Sequence, residues 1–278
     1  MPEPMPPAAS DPMPTDCDLA GRGVLVTRPA AQAAGLCRLI EAAGGCPVRF
    51  PTVEIRPPAD TALAAIRLAE PRDIIIFISR NAVAQALLLA GDALRAQHAR
   101  FAAVGRATAA AMQKAGLAPA LVPASGFDSE ALLALPDLAD IAGQRVLIVR
   151  GEGGRALLGS TLAARGAEVA YAEVYRRVVP DLDAAVELAD WRRMLGFVTA
   201  TSDEVLHNLL ALVPAEAHGW LKGLPLAVLS ARNADTARGL GFARVAVAPA
   251  AGDTGMLAAL CALAREAAGA GPAVGDVP

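Results

Sequence analysis

The sequence predicts an α/β protein made of two similar domains, each a parallel sheet flanked by helices. Two observations predict it. Apolar runs of strand length alternate with helix-length amphipathic segments through both halves of the chain, the pattern of βα units around parallel sheets. In addition, the block Arg145 to Arg177 has a twin 122 positions upstream: Val24 aligns with Val146, Arg28 with Arg150, Leu36 with Leu158, Ile40 with Leu162 and Gly44 with Gly166. The pairing continues with small drifts, Ser79 with Ser202, Gly105 with Ser230, Thr108 with Asn233, Gly116 with Gly241 and Pro123 with Pro249. Solenoid repeats run to roughly 20–50 residues. A period this long implies a duplicated domain, and two similar domains imply a cleft.

The first copy opens with the strand VLVTRP (24–29), a helix to Ala43 and the strand VRFPTVEI (48–55). A helix from about Thr61 to Ala69 leads to IIIFIS (74–79), whose unbroken apolar run suits a strand covered on both faces. A helix from near Asn81, the strand FAAVG (101–105), a helix over 107–115 ended by Gly116, and the strand ALVP (120–123) follow. Asp128 or Ser129 then offers an N-cap to the apolar run behind it. The second copy repeats the order as VLIVR, VAYAEVY, GFVTATS, PLAVLS and RVAVAP. Within it, Gly166 is the expected C-cap of the helix carrying Leu158 and Leu162.

With 278 residues and a 54% hydrophobic content, the chain can bury two cores. Its apolar stretches are interrupted well before the roughly 18 residues of a membrane span. The first twenty residues carry six prolines and no apolar periodicity, and read as a disordered leader without the features of a signal peptide. Cys17, Cys37, Cys46 and Cys261 form no C-x-x-C pair, which points to a reduced, cytoplasmic chain. His98, His207 and His218 lack metal-ligand spacing, so no metal site is expected.

A net charge of −3 argues against a nucleic-acid binder. Lysine occurs only at Lys114 and Lys222, so arginine supplies nearly all of the 25 basic residues. Arg28, Arg80, Arg106, Arg150 and Arg232 each fall just after an expected strand. Ligands of open α/β sheets bind outside the carboxyl ends of the strands, and the guanidinium fork suits carboxylates. An anionic substrate follows. Ser79 and Ser202 end equivalent strands where helices begin, as N-caps that can also face a ligand. Helix N-termini at such loops offer backbone N–H groups to carboxylates, so main chain contributes to binding alongside side chains.

The motifs VTRP (26–29), FISRNAV (77–83), AVGRATAAAMQKAG (103–116), SEALL (129–133), RGEGGRALLGSTLAARGAEVAYAEVYRR (150–177) and ATSDEVLHNL (200–209) together resemble the uroporphyrinogen-III synthase family, from about Gly21 to Arg265. The resemblance implies that the first strand and helix of each repeat join the domain built mainly by the other repeat. One domain would be 56–168, the other 21–47 plus 179–268, with crossing strands at 48–55 and 169–178 and a disordered tail at 269–278. It also implies cyclisation and dehydration of hydroxymethylbilane, an anionic linear tetrapyrrole, to uroporphyrinogen III with inversion of ring D, by a cytoplasmic monomer that uses no cofactor, nucleic acid or membrane. Tyr175 matches the family tyrosine suggested to assist departure of the hydroxyl. Arg28, Ser79, Asn81, Thr108, Arg150, Ser202, Ser230 and Asn233 are the candidate substrate contacts. Ile78 stands where the family more often has threonine, whereas the second copy keeps Thr201.

Two other function classes remain open at this point. Gly151, Gly153 and Ala156 fit a G-x-G-x-x-G/A dinucleotide fingerprint, with Glu173 roughly 20 residues on, which would suit a nucleotide-dependent oxidoreductase. A non-catalytic two-lobed protein that binds a small anion is the third class.

Overall fold

A computed structural model describes residues 17–126, 128–154 and 156–269. In chain order the strands are β1 (Gly23–Val26), β2 (Cys46–Arg49), β3 (Glu54–Arg56), β4 (Ile74–Phe77), β5 (Arg100–Ala103), β6 (Pro119–Leu121), β7 (Arg145–Gly151), β8 (Glu168–Val178), β9 (Leu195–Ala200), β10 (Leu226–Val228) and β11 (Val245–Val247). The helices are α1 (Ala34–Ala42), α2 (Thr61–Ala69), α3 (Arg80–Arg95), α4 (Arg106–Lys114), α5 (Ser129–Leu133), α6 (Leu157–Ala164), α7 (Ala184–Met194), α8 (Asp203–Leu212), α9 (His218–Gly223), α10 (Ala231–Gly239) and α11 (Asp253–Gly269).

The chain divides into two compact units, one formed by residues up to Glu54 with those from Val179 onward, the other by Ile55–Val178. The first holds a five-stranded sheet in the order β11-β10-β9-β1-β2, the second a six-stranded sheet in the order β3-β8-β7-β4-β5-β6. The pairs β1–β2, β1–β9, β9–β10 and β10–β11 are parallel. So are β4–β5, β4–β7, β5–β6 and β7–β8. The strand order reverses between β1 and β9 in the first unit, and between β7 and β4 in the second, which marks the carboxyl ends of those strands as the ligand-binding edge of each sheet.

Burial on both faces explains the unbroken apolar runs. In β4, Ile75 and Phe77 enter one core with Leu147 and Val149 of β7. Ile74 and Ile76 enter the opposite core with Val146 and Ile148. The period-2 alternation thus separates two layers rather than core from solvent. In the first unit, Val24 and Val26 of β1 face Leu36 and Ile40 of α1 and Met256 and Leu260 of α11.

The expected crossing strands are sheet members. Residues 169–178 lie in β8, an inner strand between β3 and β7. Residues 48–55 are split: β2 ends at Arg49 and β3 begins at Glu54. Displaced by 122 positions, β2 and β3 together cover the span of β8, and Pro51 occupies the place of Glu173. β2 is an edge strand of the first sheet and β3 an edge strand of the second, so the first copy divides between two sheets what the second keeps as one strand, with Pro51 in the gap. Helix α7 is the second copy's counterpart of α2: displaced by 123 positions, Asp60, which caps α2, becomes Asp183. The Asp183 side chain caps it by accepting from Ala185 N at 2.9 Å, and Trp191 anchors it, packing edge-on against Phe50 with ring centroids 4.8 Å apart.

Two expectations for the chain ends need correction. Residues 1–16 lie outside the described residues, as do 270–278 of the tail, but Leu19 is fully buried and its N–H donates to Ala43 O at 2.8 Å. The packed part of the first unit therefore begins before residue 21. Cys17 and Cys261 form a disulfide across 244 residues of sequence, with Cα atoms 5.3 Å apart, while Cys37 is buried and free and Cys46 is exposed and free. Cysteine spacing therefore no longer speaks for a reduced compartment. The oxidised wild type is expected to exceed Cys17→Ser in stability by about 2–4 kcal/mol, a difference that a reductant removes. Urea unfolding with and without dithiothreitol checks this; equal midpoints in all four samples would refute it.

At the amino-terminal end of β7, Arg145 binds Asp73 through its backbone N–H at 2.7 Å and its guanidinium at 3.3 Å. The guanidinium, then the backbone N–H, hold the Asp73 carboxyl below the usual carboxylate range. This exposed cluster sits at the sheet edge opposite the ligand-binding edge, and its role is to tie β7 to the start of β4.

Candidate active site

Helix N-termini crowd the carboxyl edge of each sheet. In the second unit β4 runs into Ser79, which caps α3 by accepting from Ala82 N at 3.1 Å. Asn81 lies in the first turn of that helix and is half-buried. Gly105 caps α4 after β5, and the buried Thr108 sits in the first turn, donating its backbone N–H to Gly105 O at 3.0 Å. In the first unit Ser202 caps α8 by accepting from Val205 N at 3.3 Å. Ser230 caps α10, accepting from Asn233 N at 3.2 Å and donating to Asn233 Oδ1 at 2.8 Å. Asn233, 3% exposed, passes its amide on to Asp203 Oδ1 at 2.6 Å. Ser79 and Ser202 are N-caps as the sequence suggested, Ser230 is a third, and each fixes a helix whose remaining first-turn N–H groups favour an anion.

The second unit brings Ser79 and Tyr175 together. Their hydroxyl oxygens are 3.3 Å apart, and Tyr175 is 1% exposed, its ring packed in the core with Phe77 and Phe101. A register shift between Arg150 and Gly151 sets Gly151 opposite Tyr175 instead of Val174, the partner a regular ladder would give it. The irregularity lets Val174 and Tyr175 enter the same core although adjacent residues of a regular strand face opposite sides. Gly151 is required there: a Cβ would lie 2.7 Å from Cε2 and Cζ of the tyrosine ring.

Arg150 belongs to a second cluster. Its Nε and Nη2 donate to Glu173 Oε1 at 3.2 and 2.8 Å, and its guanidinium carbon stands 4.1 Å from the centre of the Tyr171 ring. Arg28, its repeat partner in the first unit, is 6% exposed and ion-paired to Asp253. Sequence reasoning missed Tyr171, Asp203 and Asp253. The signal for Asp253 was in the repeat itself, since it aligns with Asp128.

The dinucleotide fingerprint dissolves in this geometry. Gly151 is a strand residue under a tyrosine ring and not the tight turn before a helix. Glu173, the proposed ribose acceptor, is engaged by Arg150. His207 and His218 bind backbone carbonyl oxygens, of Asp203 and of Leu210 and Val213. No described helix is long and apolar enough to cross a membrane.

The family model described as uroporphyrinogen-III synthase HemD matches residues 35–258. The uroporphyrinogen-III synthase of Escherichia coli (strain K12) is 37% identical over 243 residues, covering 85% of this chain and 99% of that protein. The chain belongs to the uroporphyrinogen-III synthase family. The Salmonella typhimurium member is 38% identical over 243 residues, again 85% of this chain and 99% of that protein. Among solved structures, a mutant uroporphyrinogen III synthase of the extremely thermophilic bacterium Thermus thermophilus matches with a TM-score of 0.57 and 21% identity, covering 88% of this chain and 99% of that one. The Helicobacter pylori uroporphyrinogen-III synthetase matches with a TM-score of 0.55 and 16% identity, covering 87% and 99%. At those identities the structures speak for the family fold of parallel sheets flanked by helices.

Proposed function

We propose that this chain converts hydroxymethylbilane to uroporphyrinogen III, closing the ring with inversion of ring D and releasing one water. The observation that carries this reading is the 37% identity to a named uroporphyrinogen-III synthase across 99% of its length. The linear substrate bears acetate and propionate arms, and the carboxyl edges of both sheets offer capped helix N-termini suited to such anions. Because the substrate closes unaided to the non-inverted isomer, catalysis consists in holding one conformer and favouring one transition state.

In this scheme the Ser79–Tyr175 hydroxyl pair hydrogen-bonds the departing hydroxyl. Tyr175 is 1% exposed, so the half-buried Ser79 is the member that meets solvent. Asn81 and Arg150 in one unit and Ser202 and Ser230 in the other contribute to holding carboxylates, while the buried Thr108 and Asn233 support the helix termini beside them. Arg28 is set aside, since its side chain is only 7% exposed and is paired with Asp253. In this reading the enzyme acts as a monomer without cofactor or metal.

Purified protein given freshly generated hydroxymethylbilane is expected to yield predominantly the type III isomer after oxidation and chromatographic separation. A product mixture equal to the enzyme-free control would overturn the proposal.

A further inference from the structure

The duplication places an arginine at the carboxyl end of the same strand in both sheets, Arg28 after β1 and Arg150 at the end of β7. It also places an aspartate at the start of the same helix, Asp253 of α11 and Asp128 before α5. The two units use these four residues differently. In the first, Asp253 forms an ion pair with Arg28, whose side chain is only 7% exposed. The closure is accommodated locally: Gly35 of α1 lies so close to the Asp253 carboxylate that any Cβ there would overlap it. In the second, Asp128 turns to its own helix and accepts from Ala131 N at 2.8 Å. Arg150 is left to Glu173, which stands where the first copy has Pro51.

Beside Arg150 lies a cavity of ≈ 270 Å³ in the second unit, lined by Arg150 and Tyr171 together with Ile78, Ile148 and Leu158. Arg177 and Asp128 also border it, as do Gly153 and Gly154. The two bonds to Glu173 use two of the five N–H groups of the guanidinium. The Tyr171 ring holds its plane at 4.1 Å, and the Tyr171 hydroxyl in turn fits against Gly159, where a Cβ would overlap it. An arginine fixed on two sides above an apolar floor suits a carboxylate carried on a short aliphatic stem.

We propose that this cavity seats one acetate or propionate arm of the substrate on Arg150, and that Asp253 fills the equivalent seat of the first unit from within the chain. The site rests on the function proposed above. The two units are thus unequal: one arginine position receives substrate and its twin is a structural lock.

Arg150→Gln is expected to raise KM for hydroxymethylbilane about 10-fold or more, the loss of a charged hydrogen bond, with kcat changed less than about threefold. Asp253→Asn should lower the melting temperature and leave KM within about twofold. In the wild-type protein, peptide mapping after phenylglyoxal treatment should show Arg150 modified and anaerobic uroporphyrinogen III protecting it, with Arg28 unmodified in both samples. That measurement holds even if Arg150→Gln folds poorly. An unchanged KM in Arg150→Gln, modification of Arg150 undiminished by saturating product, or a KM rise in Asp253→Asn equal to that of Arg150→Gln would each overturn the inference while type III synthesis stands. A wild type that makes no type III isomer would instead remove the function, and the seat with it.

Discussion

Gly151→Val is expected to cut type III synthesis by more than about 100-fold, roughly 2.7 kcal/mol or more of transition-state stabilisation. The reason is steric. A Cβ at residue 151 would lie 2.7 Å from two ring atoms of Tyr175, and neither side has room to yield, since the tyrosine is 1% exposed in the core. Valine adds two further methyl groups, so the ring must move and its hydroxyl must leave Ser79. Overpacking of this kind costs about 1–3 kcal/mol of stability, which leaves the protein folded enough to assay. Gly143→Ala provides the contrast. Gly143 has φ +72° with nothing within 4 Å of a built Cβ, so it should lose about 1 kcal/mol through backbone strain alone and keep its rate. Initial rates and urea midpoints on both variants test the pair; a Gly151→Val enzyme at wild-type rate would show that the position of the Tyr175 ring does not matter.

Gly151 also shows where the sequence stops being legible. The repeat, the strand cores and the N-caps are local or periodic features, and they could be read directly: IIIF of β4 is buried throughout, and Ser79, Ser202 and Asp128 cap helices α3, α8 and α5. What could not be read depends on pairings distant in sequence. The shift between β7 and β8 turns Tyr175 inward against expectation from alternation, and no residue pattern within either strand announces it. The same holds for Cys17 and Cys261, joined across 244 residues. Spacing motifs are blind to such a pair.

The arginines illustrate a different limit. Their placement after strands was visible, but five similar positions in sequence are not equivalent in space. Arg106 donates to Ala124 O at 3.0 Å, tying a loop. Arg232 meets Asp203 at 3.3 Å and is largely exposed. Arg28 is ion-paired to Asp253 with its side chain only 7% exposed, whereas its repeat partner Arg150 borders a cavity. Which arginine is spent on structure is decided by the carboxylates around it, and three of those, Asp203, Asp253 and Glu173, come from elements remote in the chain from the arginine or separated from it by a full βα unit.

Tyr175→Phe should lower the rate by about 10- to 100-fold and still give type III product. The phenylalanine ring keeps the packing under Gly151 and against Phe77 and Phe101, so the loss is confined to the hydroxyl. Ser79 retains its capping bond to Ala82 N and remains at the helix terminus as a hydrogen-bonding group. Losing one hydrogen bond to a group that develops charge costs about 1.5–3 kcal/mol, which sets the expected range. Isomer choice should survive, because it depends on the conformer held by many contacts and not on one donor. By contrast Tyr175→Ala empties a buried aromatic site and should cost about 3–5 kcal/mol of stability, so it reports on folding rather than chemistry. If Tyr175→Phe, shown by circular dichroism to be folded, gave only background cyclisation, the phenol would be an essential acid. Ser79 would then be its relay, and conformer selection would no longer account for the rate.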